Sequence, residues 1–181
     1  MRALGPGSVS SFLKVILDVF YLVLWLALGA ATIAIIAVLL LSFRPELLGG
    51  HAWIDSLHVE GPWLGPVAAA AILVGALYIA GAIVIVGRLR RIFRTLIAGD
   101  PFQPENVRRL RVIGLTLAVL ELGRYATAAL AHVLAHLLHT ARIPIDGGIN
   151  LTTWFAVLVI VVLAEVFKEG ARLRGEAELT I

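Results

Sequence analysis

Long apolar stretches alternate with short polar ones along this chain, and the apolar stretches set its class. Phe12–Phe43 is apolar apart from Lys14 and Asp18, and Leu64–Gly87 is rich in Ala and Gly. Ile113–His139 and Leu151–Phe167 follow after further polar breaks. Each run is on the scale of the ~20 residues that cross about 30 Å of hydrocarbon. The pattern predicts an all-α integral membrane protein, an antiparallel four-transmembrane-helix bundle forming a single membrane domain over residues 1–181. The first helix, about 45 Å long at 1.5 Å per residue, has to tilt or protrude. A signal peptide is the rival reading, but the run is far longer than the about 7–15 residues of such an apolar core and contains Asp18, so an uncleaved first transmembrane helix is expected.

The polar segments are a leader, Met1–Ser11; an outer loop, Arg44–Trp63; a connector, Arg88–Val112; a second outer loop, Thr140–Asn150; and a tail, Lys168–Ile181. Alternation in His51–Glu60, and in Ile143–Thr152 around Asp146-Gly147-Gly148, fits either a small capping sheet or irregular loops.

Composition agrees: 60% of residues are hydrophobic and 15% charged, against roughly 45–50% and about 25% in soluble domains. The formal charge of +3 does not point to nucleic acid, because its excess sits beside the apolar spans. Of fifteen Lys and Arg residues, the connector holds seven, the tail three and the N-terminal stretch two, whereas each outer loop holds one. The positive-inside rule therefore predicts cytoplasmic termini and a cytoplasmic connector, with anionic lipid heads as neighbours. With no cysteine, disulfides, thiolate metal sites and cysteine nucleophiles are excluded.

Within the connector, Leu89, Ile92, Phe93 and Leu96 recur at helical spacing, while Arg88, Arg91 and Arg94 fall on another face. This predicts an amphipathic continuation of the second helix, suited to the headgroup layer or to a partner's groove. Gly99 supplies a stop and Pro101 prevents continuation. Pro104 and Glu105 suit the first turn of a new helix. The second and third helices are thus expected to extend into a cytoplasmic helical hairpin with its tip at Gly99–Gln103.

Two blocks resemble a family of small bacterial four-helix membrane proteins of unknown function, DUF2975. The first is Gly99-Asp100-Pro101-Phe102, then Glu105-Asn106-Val107-Arg108-Arg109-Leu110-Arg111 and Ile113-Gly114. The second is Leu163-Ala164-Glu165-Val166-Phe167-Lys168-Glu169-Gly170-Ala171-Arg172-Leu173, ending in Glu178-Leu179-Thr180-Ile181. The resemblance implies a bacterial inner (plasma) membrane location. Family genes often neighbour small helix-turn-helix regulators, which implies a partner of that kind. It brings no catalytic residue.

The third span is unusually polar. Glu121 and Arg124, three residues apart, can pair on one face, either as a functional intramembrane site or as a clamp between helices. Asp18 and Glu165 could meet Arg124 or the connector arginines. His132, His136 and His139 share one face, and counting back eleven from His132 reaches Glu121. The histidines suit interfacial water, a divalent metal completed by His51, His58 and Asp146, or a pH sensor. There is no nucleophile elbow, P-loop, dinucleotide motif or H-E-x-x-H. Trp53, Trp63 and Trp154 read as interfacial anchors.

The expectation is a non-enzymatic, membrane-embedded regulator or sensor that requires no cofactor. Its docking surface comprises Phe93, Asp100, Pro101, Phe102, Asn106, Arg108, Arg109, Arg111, Glu178, Leu179, Thr180 and Ile181. Its partners are the lipid bilayer, a helix-turn-helix regulator and a second copy of itself, with no direct nucleic-acid contact. The alternative is a small transporter or metal- or proton-binding protein using the polar stripe of the third helix.

Overall fold

The computed structural model describes residues 9–41, 64–137 and 147–178. Four α-helices account for nearly all of them: α1 Val9–Leu41, α2 Leu64–Ile97, α3 Pro104–Leu137 and α4 Leu151–Glu178. Each contains a segment long and apolar enough to cross a membrane: Phe12–Leu40, Gly65–Ile97, Pro104–Leu137 and Leu151–Glu176. Among the described residues there is no strand. His51–Glu60 and Ile143–Asp146 lie outside them, and Leu151 and Thr152 belong to the first turn of α4.

Surface chemistry supports the membrane assignment. On α1, Phe12, Leu26, Ile33 and Leu40 are exposed to 69%, 65%, 69% and 66%. Leu115 on α3 and Phe155 on α4 are as open. A soluble protein would leave such a continuous apolar surface in water, whereas hydrocarbon solvates it. Spanning threonines return their hydroxyls to their own helices: Thr32 donates to Leu28 O, Thr116 to Val112 O and Thr127 to Gly123 O. Each of these three hydroxyls is satisfied within its own helix.

Two boundaries differ from the sequence expectation. Helix α1 begins at Val9, inside the stretch read as a leader. Helix α4 runs without interruption to Glu178, so most of the expected tail is the end of a helix. The reason lies in its residues: Ala, Leu, Glu, Lys and Arg are strong helix formers, and they recur at pairing distance. At the other end, Asn150 Oδ1 accepts from the N–H groups of Thr152 (3.1 Å) and Thr153 (3.3 Å), a side-chain cap that fixes where α4 starts.

The chain falls into two compact units. The first takes its described residues from 9–24, 81–120 and 150–178. It buries Ile83, Val86, Val107, Leu110, Ile113 and Ala164, together with one polar residue, Asn106. The second takes them from 25–41, 64–80, 121–137 and 147–149. Its core is Val38, Ala68 and Ala69 with Ile72 against them. Ala128, Ala131 and Ala135 are buried along α3. Small side chains permit the close backbone approach that membrane packing depends on.

Candidate functional site

The most densely bonded polar structure lies in the first unit, where α2 ends, the chain turns and α3 begins. Helix α2 closes on a complete Schellman cap. Gly99 adopts φ +81°, its N–H donates to Leu96 O (3.1 Å), and Asp100 N–H donates to Thr95 O (3.0 Å). Only glycine enters that left-handed conformation without steric cost. Gln103 Nε2 then donates to Asp100 Oδ2 (2.8 Å), and Asn106 N–H donates to Gln103 O (2.9 Å). The turn is cross-braced on both sides.

Asn106 is the hub. It is fully buried, and its amide donates to Thr95 Oγ1 (2.6 Å) and to Pro101 O (2.8 Å). Its Oδ1 accepts from Arg109 Nη1 (2.7 Å), and the same guanidinium nitrogen donates to Arg91 O (3.4 Å). One side chain thus ties the last turn of α2, the connecting turn and the first turns of α3. Burying an amide is costly unless its donors and acceptor are all engaged, and here they are.

The second sequence block docks onto the first. The Phe102 ring packs against Phe167, with centroids 5.5 Å apart and planes tilted by 50°, a favourable aromatic geometry. It also lies against Gly170: a Cβ there would come within 2.6 Å of Phe102 Cδ1 and 2.8 Å of Cε1. Asp100 pairs with Arg174, and Arg111 approaches Glu165 at 3.7 Å. Along the same arm, Glu165 pairs with Lys168, and Arg172 pairs with Glu169 (2.5 Å) and Glu176 (3.5 Å). These pairs are well exposed and add little stability singly. They do keep the arm's charges mutually satisfied.

The proposed docking residues therefore divide. Asn106 is interior, which corrects its place on a docking surface: a fully buried side chain holds the turn and touches no partner. Arg109 is engaged with Asn106, Asp100 with Gln103 and Arg174, and Arg111 with Glu165. Phe93 is half-buried and Pro101 carries the carbonyl that Asn106 binds, whereas Arg108 stands exposed. The backbone of Glu178 ends α4, and Leu179, Thr180 and Ile181 lie outside the described residues. Sequence reading missed Thr95, Gly170 and Arg174 as partners. Gly170 carried a signal, as a poor helix former within a run of strong ones.

The intramembrane polar residues find separate partners. Asp18 accepts from Arg90 Nε at 2.5 Å, and the Arg90 guanidinium lies 4.4 Å from the centre of the Tyr21 ring. Glu165 meets Arg111 and Lys168. Both acids thus meet cations of the first unit. In the second unit, Arg124 grips Glu121 with a two-nitrogen fork (Nη2 to Oε1 2.6 Å, Nε to Oε2 3.3 Å) and donates to Gly148 O at 2.5 Å. Glu121 is only 5% exposed. His132 and His136 are exposed four residues apart, so they do not continue the buried environment of Glu121. His139, His51, His58 and Asp146 lie outside the described residues. Among the described residues no group of three His, Asp or Glu side chains could hold a metal.

These features define a multi-pass helical membrane protein with a braced polar turn at the end of two of its helices. The chain belongs to the family described as a protein of unknown function (DUF2975), whose model matches residues 21–181. That span includes every residue of the turn and of the arm docked on it. No curated protein and no solved structure matches the chain.

Proposed function

We propose that this protein is a non-enzymatic membrane regulator, and that the turn with the docked α4 arm is its partner-binding platform. In this reading the four helices form an antiparallel bundle in a bacterial inner membrane, with both termini and the turn in the cytoplasm. Orientation follows from the crowding of Lys and Arg at the turn and the chain ends. The observation that carries the reading is the construction around Asn106 and Phe102. Two blocks some sixty residues apart converge on a cross-braced polar structure, held by hydrogen bonds, an ion pair and an aromatic contact. Preorganised surfaces of this kind favour binding, because little ordering is left to do. The favoured partner is a small helix-turn-helix transcription regulator, held at the membrane through Arg108, the outer face of α4 and residues 179–181.

The test is affinity capture of the detergent-solubilised protein from its native cells. One variant carries Arg108→Glu with residues 179–181 removed, changes that leave Asn106, Phe102 and Asp100 in place. A DNA-binding regulator captured by the native chain and lost with this variant is the expected result. Equal capture by both, or capture of nothing specific, would overturn the platform.

A second reading is favoured by one observation, the buried Glu121–Arg124 pair within a spanning helix. It makes the protein a small transporter or proton-binding protein. Proton flux into liposomes that disappears with Glu121→Gln, while capture is unaffected, would select it.

A further inference from the structure

We infer that Lys14, Arg88, Arg91 and Arg94 form a headgroup site for anionic phospholipid, separate from the partner platform. Charge pairing in the first unit motivates this. Among its described residues, Asp18, Asp100, Glu165, Glu169 and Glu176 each sit in an ion pair. Their partners are Arg90, Arg111, Lys168, Arg172 and Arg174. Lys14, Arg88, Arg91 and Arg94 have no carboxylate partner among the described residues. The remaining acid, Glu105, sits in the first turn of α3, where it complements the positive helix end. On α3, Arg108 also has no carboxylate partner among the described residues, and Arg109 is held by Asn106 and the Arg91 carbonyl; the surplus is therefore one-signed, with three of its members at one end of α2.

Position selects the occupant. The apolar segment Gly65–Ile97 has 33 residues, about 50 Å at 1.5 Å per residue, against about 30 Å of hydrocarbon. The final turns of α2 therefore pass through the headgroup layer. Arg88, Arg91 and Arg94 recur there every third residue, on neighbouring ridges of one helix side. Beyond them, in the last turn of the helix, stand Leu96 and Ile97, exposed to 38% and 37%. An acidic protein surface would leave these side chains against polar groups, whereas a lipid offers phosphate to the guanidinium groups and acyl chain to the leucine and isoleucine. Arginine's planar fork matches a phosphate's paired oxygens, so the chemistry recognised is a phosphodiester beside hydrocarbon. Lys14, exposed near the start of the α1 span, adds a further cation in the same unit.

The measurement is native mass spectrometry of the full chain in detergent, titrated with phosphatidylglycerol and with phosphatidylcholine of identical acyl chains. The native chain should prefer phosphatidylglycerol by at least tenfold. Each cation at a membrane surface contributes about fivefold, so Arg88→Gln, Arg91→Gln and Arg94→Gln together should weaken it about 100-fold. Arg172→Gln, which removes a guanidinium already held by Glu169 and Glu176, should leave it unchanged. Equal binding of the two lipids by the native chain overturns the site, as does undiminished phosphatidylglycerol affinity in the triple variant. Inorganic phosphate competing as well as the lipid would show a simple anion site and overturn the lipid assignment. Should the triple variant not fold, raising salt on the native chain decides: the preference collapses if the site is real and persists if it is not. None of these readouts involves Arg108 or residues 179–181, so failure here is distinct from failure of the platform.

Discussion

Replacing Asn106 with alanine is the sharpest perturbation the structure offers. The change deletes two donated hydrogen bonds, to Thr95 Oγ1 and Pro101 O, and one accepted from a charged guanidinium. Neutral bonds contribute about 0.5–1.5 kcal/mol each and a charged one about 1.5–3 kcal/mol. The alanine pocket is too enclosed for water to replace all three, so the junction should lose about 3–5 kcal/mol. Asn106→Asp sharpens the test. It keeps the shape and strengthens attraction to Arg109, but sets a carboxylate oxygen against the Pro101 carbonyl, which donates nothing. The aspartate should be nearly as damaging as the alanine. Hydrogen–deuterium exchange in detergent reports this locally, through the amides of Gly99, Asp100 and Asn106. A loss of about 3 kcal/mol corresponds to exchange roughly 150-fold faster. An effect below about fivefold in the alanine variant, or recovery of more than half the protection by aspartate, would refute the hub.

Gly170→Ala should push the Phe102 ring off the arm and cost about 1–3 kcal/mol by overpacking, read as a lower thermal midpoint; pairing it with Phe102→Leu should restore part of the loss. Gly99→Ala places a side chain at a left-handed φ and should destabilise by about 1 kcal/mol, with faster proteolytic nicking near residues 98–103 as the readout. Asp18→Asn and Arg90→Gln, measured singly and together, should show a coupling of about 1 kcal/mol; strictly additive effects would mean that the pair contributes nothing.

What was legible in the sequence follows from the physics of each signal. Membrane spans are written in composition, and the end of α2 in two residues with few conformational options, Gly99 and Pro101. The helical continuation through Arg94 was readable from periodicity. The role of Asn106 was not, because an asparagine near a helix start resembles a surface residue until the carbonyl of Pro101 and the hydroxyl of Thr95 are seen to face it. The alignment of Phe102 with Gly170 was likewise hidden, since it depends on packing between helices that no local pattern encodes. The sequence resemblance had joined the same two blocks without saying that they touch.

Because α4 is one unbroken helix from the Asn150 cap to Glu178, its inclination and its grip on Phe102 are not independent. Phe167 stands about 25 Å along the axis from the cap, so a tilt of about 10° there would carry its ring roughly 4 Å sideways. That travel approaches the 5.5 Å separating the two rings. A thinner or thicker bilayer, by leaning α4, would work the aromatic contact as a rod works a catch.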